Sequence, residues 1–86
     1  MSKQPKELSG QQIVVVDGGF VYVGDVTIRD GYVLITRCRC VRKWGTTKGL
    51  GELRTGPTPN TVLDDAGCIL VPIGRVNHFI PCTQTW

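Results

Sequence analysis

Long hydrophobic runs are missing from this 86-residue chain, and their absence limits the classes of protein that it can form. No apolar stretch approaches the roughly 18 residues that a membrane-spanning helix needs. The first residues, MSKQPKE, are polar and contain no hydrophobic signal region. We therefore expect no cleaved secretion signal and no membrane partner. The expected location is the cytoplasm, or a particle assembled there.

Residue groups typical of enzymes are missing as well. The chain has one histidine, His78, and no Ser-His-Asp, Cys-His or paired-carboxylate spacing that would set a base beside a nucleophile. Asp64 and Asp65 are adjacent, but neighbouring side chains of a strand point apart, which disfavours a shared Mg²⁺. Residues 45–49 lack the spacing of a P-loop. We predict that the protein is not an enzyme and uses no cofactor.

The four cysteines, Cys38, Cys40, Cys68 and Cys82, lack the Cys-x-x-Cys spacing of common zinc sites. In a reducing cytoplasm they are expected to be thiols and not disulfides. A four-sulfur zinc site is the alternative, because Cys38 and Cys40 would share one face of a strand. We favour small buried core residues and predict no metal site.

Glycine is plentiful, with 11 residues, and short apolar segments alternate with turns. This pattern predicts an all-β domain of five short strands with almost no helix. Gly24 within the second strand predicts a bulge or bend. A further bulge near residues 38–40 would re-register the third strand. The predicted strands are residues 12–16, 20–28, 32–44, 68–72 and 76–81.

The predicted organisation is a flexible arm of residues 1–10 followed by a single domain of residues 11–86. Residues 45–66 contain four glycines and two prolines, and predict a long ordered loop between the third and fourth strands. Leu50 and Leu53 would hold this loop through one helical turn. Loops of about 20 residues are unusual in small domains and are commonly functional.

Positive charge is concentrated next to this loop, because six of the ten lysines and arginines lie in residues 37–54, against the single acid Glu52. Net charge is only +3, so the clustering indicates an anionic partner more strongly than the total does. Arginine binds phosphate through two donors, lysine supplies a mobile charge, and glycine-rich backbone can cradle an anion. The alternative is a solvated strand edge, or salt bridges to Asp64 and Asp65.

Trp44, beside the loop, has two readings: it stacks on a base, or it anchors a core or a subunit interface. The predicted ligand- and phosphate-binding residues are Arg37, Arg39, Arg42, Lys43, Trp44, Thr46, Thr47, Lys48 and Arg54.

Three segments resemble Sm-like barrels, the fold of the RNA chaperone Hfq and of spliceosomal Sm proteins. These are residues 20–28, the Asp30-Gly31 turn with residues 32–36, and residues 71–80. The resemblance implies an Sm-like or SH3-like barrel that forms rings or other homo-oligomers by pairing edge strands. It transfers no RNA-contact residue, because the RNA-binding signature of that family is not recognisable here.

Residues 41–53, VRKWGTTKGLGEL, with Gly56-Pro57 and residues 61–64, resemble a family of small uncharacterised bacteriophage proteins. This resemblance covers most of residues 20–82 and implies a phage protein in the host cytoplasm. Phages encode small oligomers that bind cyclic nucleotides of bacterial defence systems. By that analogy we predict a non-enzymatic homo-oligomer that sequesters an anionic nucleotide-type ligand. The alternatives are an Sm-like ring that binds RNA or DNA, and a virion component that makes protein contacts.

Overall fold

The computed structural model describes residues 11–47 and 49–83. Its strands form one antiparallel sheet in the order β4-β3-β2-β1-β5. The prediction of an all-β, five-stranded domain is confirmed. The predicted arm, residues 1–10, lies outside the described residues, as do Lys48 and residues 84–86. The strands are β1 Gln11–Val16, β2 Phe20–Arg29, β3 Tyr32–Lys43, β4 Val62–Pro72 and β5 Val76–Pro81.

The turn and the bulge predicted around β2 are both present. Asp30 and Gly31 have φ values of 53° and 81°, as a two-residue hairpin turn that follows the strand twist requires. At Gly24 the register between β2 and β3 shifts, which confirms the predicted bulge. A Cβ atom added to Gly24 would lie 2.7 Å from the side chain of Ile35, so only glycine fits here without movement.

The strand β4 begins earlier than predicted, at Val62 and not at Cys68. The predicted loop of residues 45–66 is correspondingly shorter, because its last residues are part of the sheet. Residues 62–67 pair with the charged half of β3, where the register shift between Cys38 and Arg39 confirms the bulge predicted near residues 38–40.

Opposite charges explain why an acidic segment forms a strand here. Aspartate is disfavoured in strands, so Asp64 and Asp65 on their own indicate a turn. In the sheet, Arg39 lies directly opposite Asp65, and Arg42 forms an ion pair with Asp64. Cross-strand pairs of opposite charge stabilise a ladder by about 0.2–1 kcal/mol each. The composition of β4 alone therefore does not predict this part of the strand. The charges of the facing strand β3 explain why it forms.

Both faces of the sheet carry a hydrophobic cluster, because successive side chains along β1 and β2 point to opposite sides. The buried residues of the first face are Val14, Val16, Val26, Val33, Ile35, Cys38 and Val71. The buried residues of the second face are Ile13, Val21, Val23, Val41 and Leu53.

The connection between β3 and β4 covers the second face. It contains a 3-10 helix, Leu50–Thr55, which confirms the predicted helical turn. Leu53 of this helix is completely buried, and Leu50 packs against the same cluster. The backbone N–H of Thr83 donates to the carbonyl of Arg54 at 2.8 Å and ties the helix to the end of the chain. In the part of the chain described, no helix is long and apolar enough to cross a membrane.

The strands β4 and β5 lie at the two ends of the strand order. Within residues 11–47 and 49–83 no ladder joins them, so the predicted closure of the sheet into a barrel is not found. Among the described residues, each of these strands has one edge without a partner strand, and proteins commonly cover or pair such edges.

Replacing Leu53 by alanine is expected to lower the free energy of unfolding by about 2–5 kcal/mol, the usual loss for a leucine removed from a core. The control is Leu70→Ala, because Leu70 is 60% exposed and its removal should cost under about 1 kcal/mol. Urea denaturation followed by circular dichroism measures both. Equal losses would contradict the role of the 3-10 helix as the cover of the second face.

Candidate functional site

A groove with a volume of about 650 Å³ crosses the second face beside its hydrophobic cluster. Its volume falls within the range of about 300–1,000 Å³ that is typical of small-molecule sites. The strands β1 to β4 each contribute to its wall, so the register of the sheet brings the lining side chains together. The lining residues are Gln11, Gly24, Asp25, Arg37, Arg39, Leu63 and Asp65.

Arg37 has an unusual backbone conformation, with a φ of 49°. Few residues other than glycine adopt a positive φ, and such conformations are concentrated at functional sites. The pairing of β3 with β4 shifts register between Ile35 and Cys38, on either side of this residue. The bulge projects the Arg37 side chain out of the sheet and into the groove wall, where it is 84% exposed.

An ion pair holds Arg37 across the groove. Its Nε donates to Oδ2 of Asp25 at 2.8 Å, and its Nη2 donates to the same oxygen. Ion pairs this exposed contribute about 0–1 kcal/mol to stability. The pair therefore positions the guanidinium and contributes little to the stability of the fold.

Arg39 and Asp65 stand side by side in the same groove, because they are direct partners in the β3–β4 ladder. Oδ1 of Asp65 accepts a long hydrogen bond of 3.4 Å from the backbone N–H of Gly67. The groove thus combines two guanidinium groups with two carboxylates. Such a lining offers donors to an anion and acceptors to hydroxyl or amine groups of the same ligand.

Three other predicted cations, Arg42, Lys43 and Arg54, lie outside the groove wall. Arg42 forms an ion pair with Asp64, Nε to Oδ2 at 2.8 Å, as the alternative reading of the basic cluster expected. Lys43 and Trp44 are exposed and are not part of the groove wall. Arg54 lines a separate hollow of the 3-10 helix. The structure therefore brings Arg37 and Arg39 together and places Arg42, Lys43, Trp44 and Arg54 outside the groove wall.

The predicted phosphate cradle in the loop already contains an anion of the chain itself. The backbone N–H of Thr47 donates to Oε1 of Glu52 at 3.2 Å. Thr46, the preceding residue, is half-buried. Lys48, the cation of this predicted cradle, lies outside the described residues.

A hydrogen-bond clamp that the sequence analysis missed closes the base of the loop. The hydroxyl of Thr58 donates to the carbonyl of Gly45, and the hydroxyl of Thr61 donates to the carbonyl of Trp44, both at 2.7 Å. Gly45 has a φ of 65°, and a Cβ atom there would lie 2.3 Å from the backbone of Asn60. Threonines flanking a Pro-Asn turn are the signal that would have indicated this clamp.

The groove residues Gln11, Asp25 and Asp65 were also missed as candidates. They lie on three different strands, and no local motif connects them. Only the register of β1, β2, β3 and β4 places them on one wall. A search for opposite charges at facing positions of paired strands is the signal that would have found Asp65.

The cysteines are free thiols. The prediction of buried core residues is right for Cys38 and wrong for Cys68, which is exposed. Burial raises the pKa of the Cys38 thiol to about 12, and Cys40, Cys68 and Asp65 add smaller contributions. Among residues 11–47 and 49–83, no group of three or more histidine, cysteine or acidic side chains is arranged to hold a metal ion.

Comparisons of the chain with protein-family models, with curated proteins and with solved structures gave no match. The resemblances to Sm-like barrels and to a phage family therefore stay predictions from pattern.

The Cys38 thiol is expected to make stability depend on pH. Its pKa rises from an ordinary value of 9.0 to about 12 in the folded chain, so between these values only the unfolded state loses the proton. The stability linked to this thiol is complete below pH 9 and is lost as pH rises toward 12, at up to about 1.4 kcal/mol per pH unit.

Urea denaturation between pH 8 and pH 11 measures this effect. Cys38→Ala is the control, because it removes the titrating group while leaving the other titrating side chains in place. The free energy of unfolding of the wild type should fall more steeply above pH 9 than that of the variant. Parallel curves would show that the buried thiol does not contribute.

Proposed function

We propose that this protein is a non-enzymatic binding protein that assembles with copies of itself and sequesters an anionic nucleotide-type ligand in the groove. One observation carries the proposal. Arg37 and Arg39 line a groove of about 650 Å³ together with Asp25 and Asp65. A nucleotide has a phosphate that requires cationic donors and a sugar and base that offer hydroxyl and amine groups to acceptors.

The phosphate is assigned to the two arginines. A guanidinium presents several N–H donors in one plane and binds phosphate through two of them. Arg37 is already held in the groove wall by Asp25, so little side-chain entropy is lost when the ligand binds. An incoming phosphate takes over donors that Asp25 engages in the free protein.

The mixed charge of the groove favours a small ligand over RNA or DNA. Nucleic acid binding depends on several lysines and arginines that follow a phosphate backbone. Here two carboxylates stand beside the two arginines of the groove. A third cation of the β3 cluster, Arg42, is paired with Asp64 and points to the other side of the sheet. The field along the groove is therefore local and not a continuous positive track.

The proposed assembly uses the open edges of β4 and β5. An edge strand has N–H and C=O groups free to pair with another chain, and pairing in a closed ring leaves no edge exposed. The strand β4 also supplies Leu63 and Asp65 to the groove. A neighbouring subunit paired along β4 would border the groove, so that its basic residues and its loop, residues 45–61, complete a shared pocket. In that assembly each subunit would have the fold of an Sm-like barrel.

The resemblance to a phage protein family is the basis for proposing that the protein acts in an infected bacterial cell. A ligand that fits it is a cyclic nucleotide signal of bacterial anti-phage defence, bound in the cytoplasm of the infected host. Sequestration requires no chemistry from the protein, only a lower free concentration of the signal.

Charge reversal in the groove tests the binding. Arg37→Glu and Arg39→Glu should each weaken the binding of cyclic di-AMP or ADP by at least about tenfold, because each removes a charged hydrogen bond and adds repulsion. Arg75→Glu is the matched control, since Arg75 is exposed in the turn before β5. Isothermal titration calorimetry measures affinity, and circular dichroism confirms folding. Wild-type protein that binds neither nucleotide, or binding that survives both groove reversals, would refute the proposal.

Native mass spectrometry of protein purified from bacterial lysate tests the assembly. We expect a closed oligomer, because paired edges hide the open ladders of β4 and β5. Extra mass that matches a nucleotide on each subunit would support sequestration. A monomer at micromolar concentration would refute the shared pocket.

A further inference from the structure

We infer that the carboxylate of Asp65 recognises the ribose of the ligand: it accepts a hydrogen bond from the 2′-hydroxyl while Arg37 and Arg39 hold the phosphate. The groove would then select ribonucleotides over 2′-deoxyribonucleotides. This inference rests on the proposed nucleotide binding and adds to it a residue that determines specificity.

The two groove carboxylates differ in how far they are already engaged. Oδ2 of Asp25 accepts from both Nε and Nη2 of Arg37. Asp65 accepts one long bond of 3.4 Å at Oδ1, from the N–H of Gly67. Its other oxygen, Oδ2, accepts no hydrogen bond from the described residues. Asp25 therefore positions an arginine, whereas Asp65 has an acceptor available to a ligand.

The ladder sets the spacing between phosphate donor and sugar acceptor. Arg39 and Asp65 are direct partners of β3 and β4, and the Cβ atoms of such partners lie about 4.5–5.5 Å apart. Their side chains extend from the same face into one groove. A guanidinium and a carboxylate at this separation can reach the phosphate and the ribose of one nucleotide at the same time.

The backbone next to Asp65 contacts its side chain. Gly67 has a φ of 70°, which glycine adopts without strain, and its N–H donates to Oδ1 of Asp65 at 3.4 Å. On the facing strand the register shifts between Cys38 and Arg39. This turn-like contact engages Oδ1 with the backbone, and Asp65 lines the groove.

The discrimination follows from the chemistry of an ionised acceptor. A hydrogen bond from a hydroxyl to a charged group typically contributes about tenfold to a hundredfold in affinity. A 2′-deoxy sugar cannot donate this bond and leaves a desolvated carboxylate oxygen without a partner. Sites of this kind reject the analogue that lacks the hydroxyl.

Matched nucleotide pairs test the inference on the wild-type protein. The pairs are ADP with 2′-deoxy-ADP, and cyclic di-AMP with its fully 2′-deoxy form. In 3′,5′-cyclic dinucleotides the 3′ oxygens are esterified, so the 2′ hydroxyls are the ribose donors that remain. Calorimetry should show the ribose form of a bound pair binding at least about tenfold more tightly.

Asp65→Asn and Asp64→Asn form a matched pair of variants. Both remove one negative charge from adjacent positions, but Asp64 pairs with Arg42 away from the groove. Asparagine keeps an oxygen for the N–H of Gly67, so the local turn is retained. Asp65→Asn should reduce the ribose preference to within about threefold, because a neutral amide accepts a weaker hydrogen bond. Asp64→Asn should leave the preference unchanged.

The outcomes distinguish a failure of the role of Asp65 from a failure of the proposed nucleotide sequestration. Equal binding of ribose and deoxyribose forms, with binding still abolished by Arg37→Glu, would overturn the role of Asp65 and retain nucleotide sequestration. Equal changes of both affinities in Asp65→Asn would likewise overturn it, since they would report charge alone. No binding of any of the four nucleotides would overturn the inference together with the proposed function.

Discussion

The constraint on which this structure depends is that a single thin sheet has apolar side chains on both faces. In β1, Val14 faces one cluster and its neighbour Ile13 faces the other. A chain of 86 residues has little material with which to cover two faces. Residues of all five strands pack together on the first face, and the 3-10 helix that buries Leu53 covers the second.

The groove lies next to two irregularities of the sheet. Gly24 allows β2 to approach β3 closely, and the bulge at Arg37 changes which residues of β3 face each side. The groove borders the hydrophobic cluster of the second face, because Leu63 belongs to both, while most of its other side chains are polar or charged. The proposed ligand would therefore bind at the margin of this cluster, on residues of four strands.

The features that the sequence predicted correctly are local ones. The Asp30-Gly31 turn, the bulge at Gly24 and the helical turn at Leu50 and Leu53 each follow from residues that are close in the chain. The start of β4 and the pairing of Arg39 with Asp65 depend on residues about 25 positions apart, whose register no local pattern encodes. The predicted closure into a barrel depends on β4 meeting β5, which also has no local signal, and the described residues do not show it.

The contact between Thr47 and Glu52 occupies a backbone donor of the loop with a carboxylate of the chain itself. A carboxylate tethered five residues from its donor competes as though it were present at millimolar concentration or above. An anion that approaches this N–H from solution must therefore displace a carboxylate of the chain itself, so the glycine-rich backbone is not a preformed anion site.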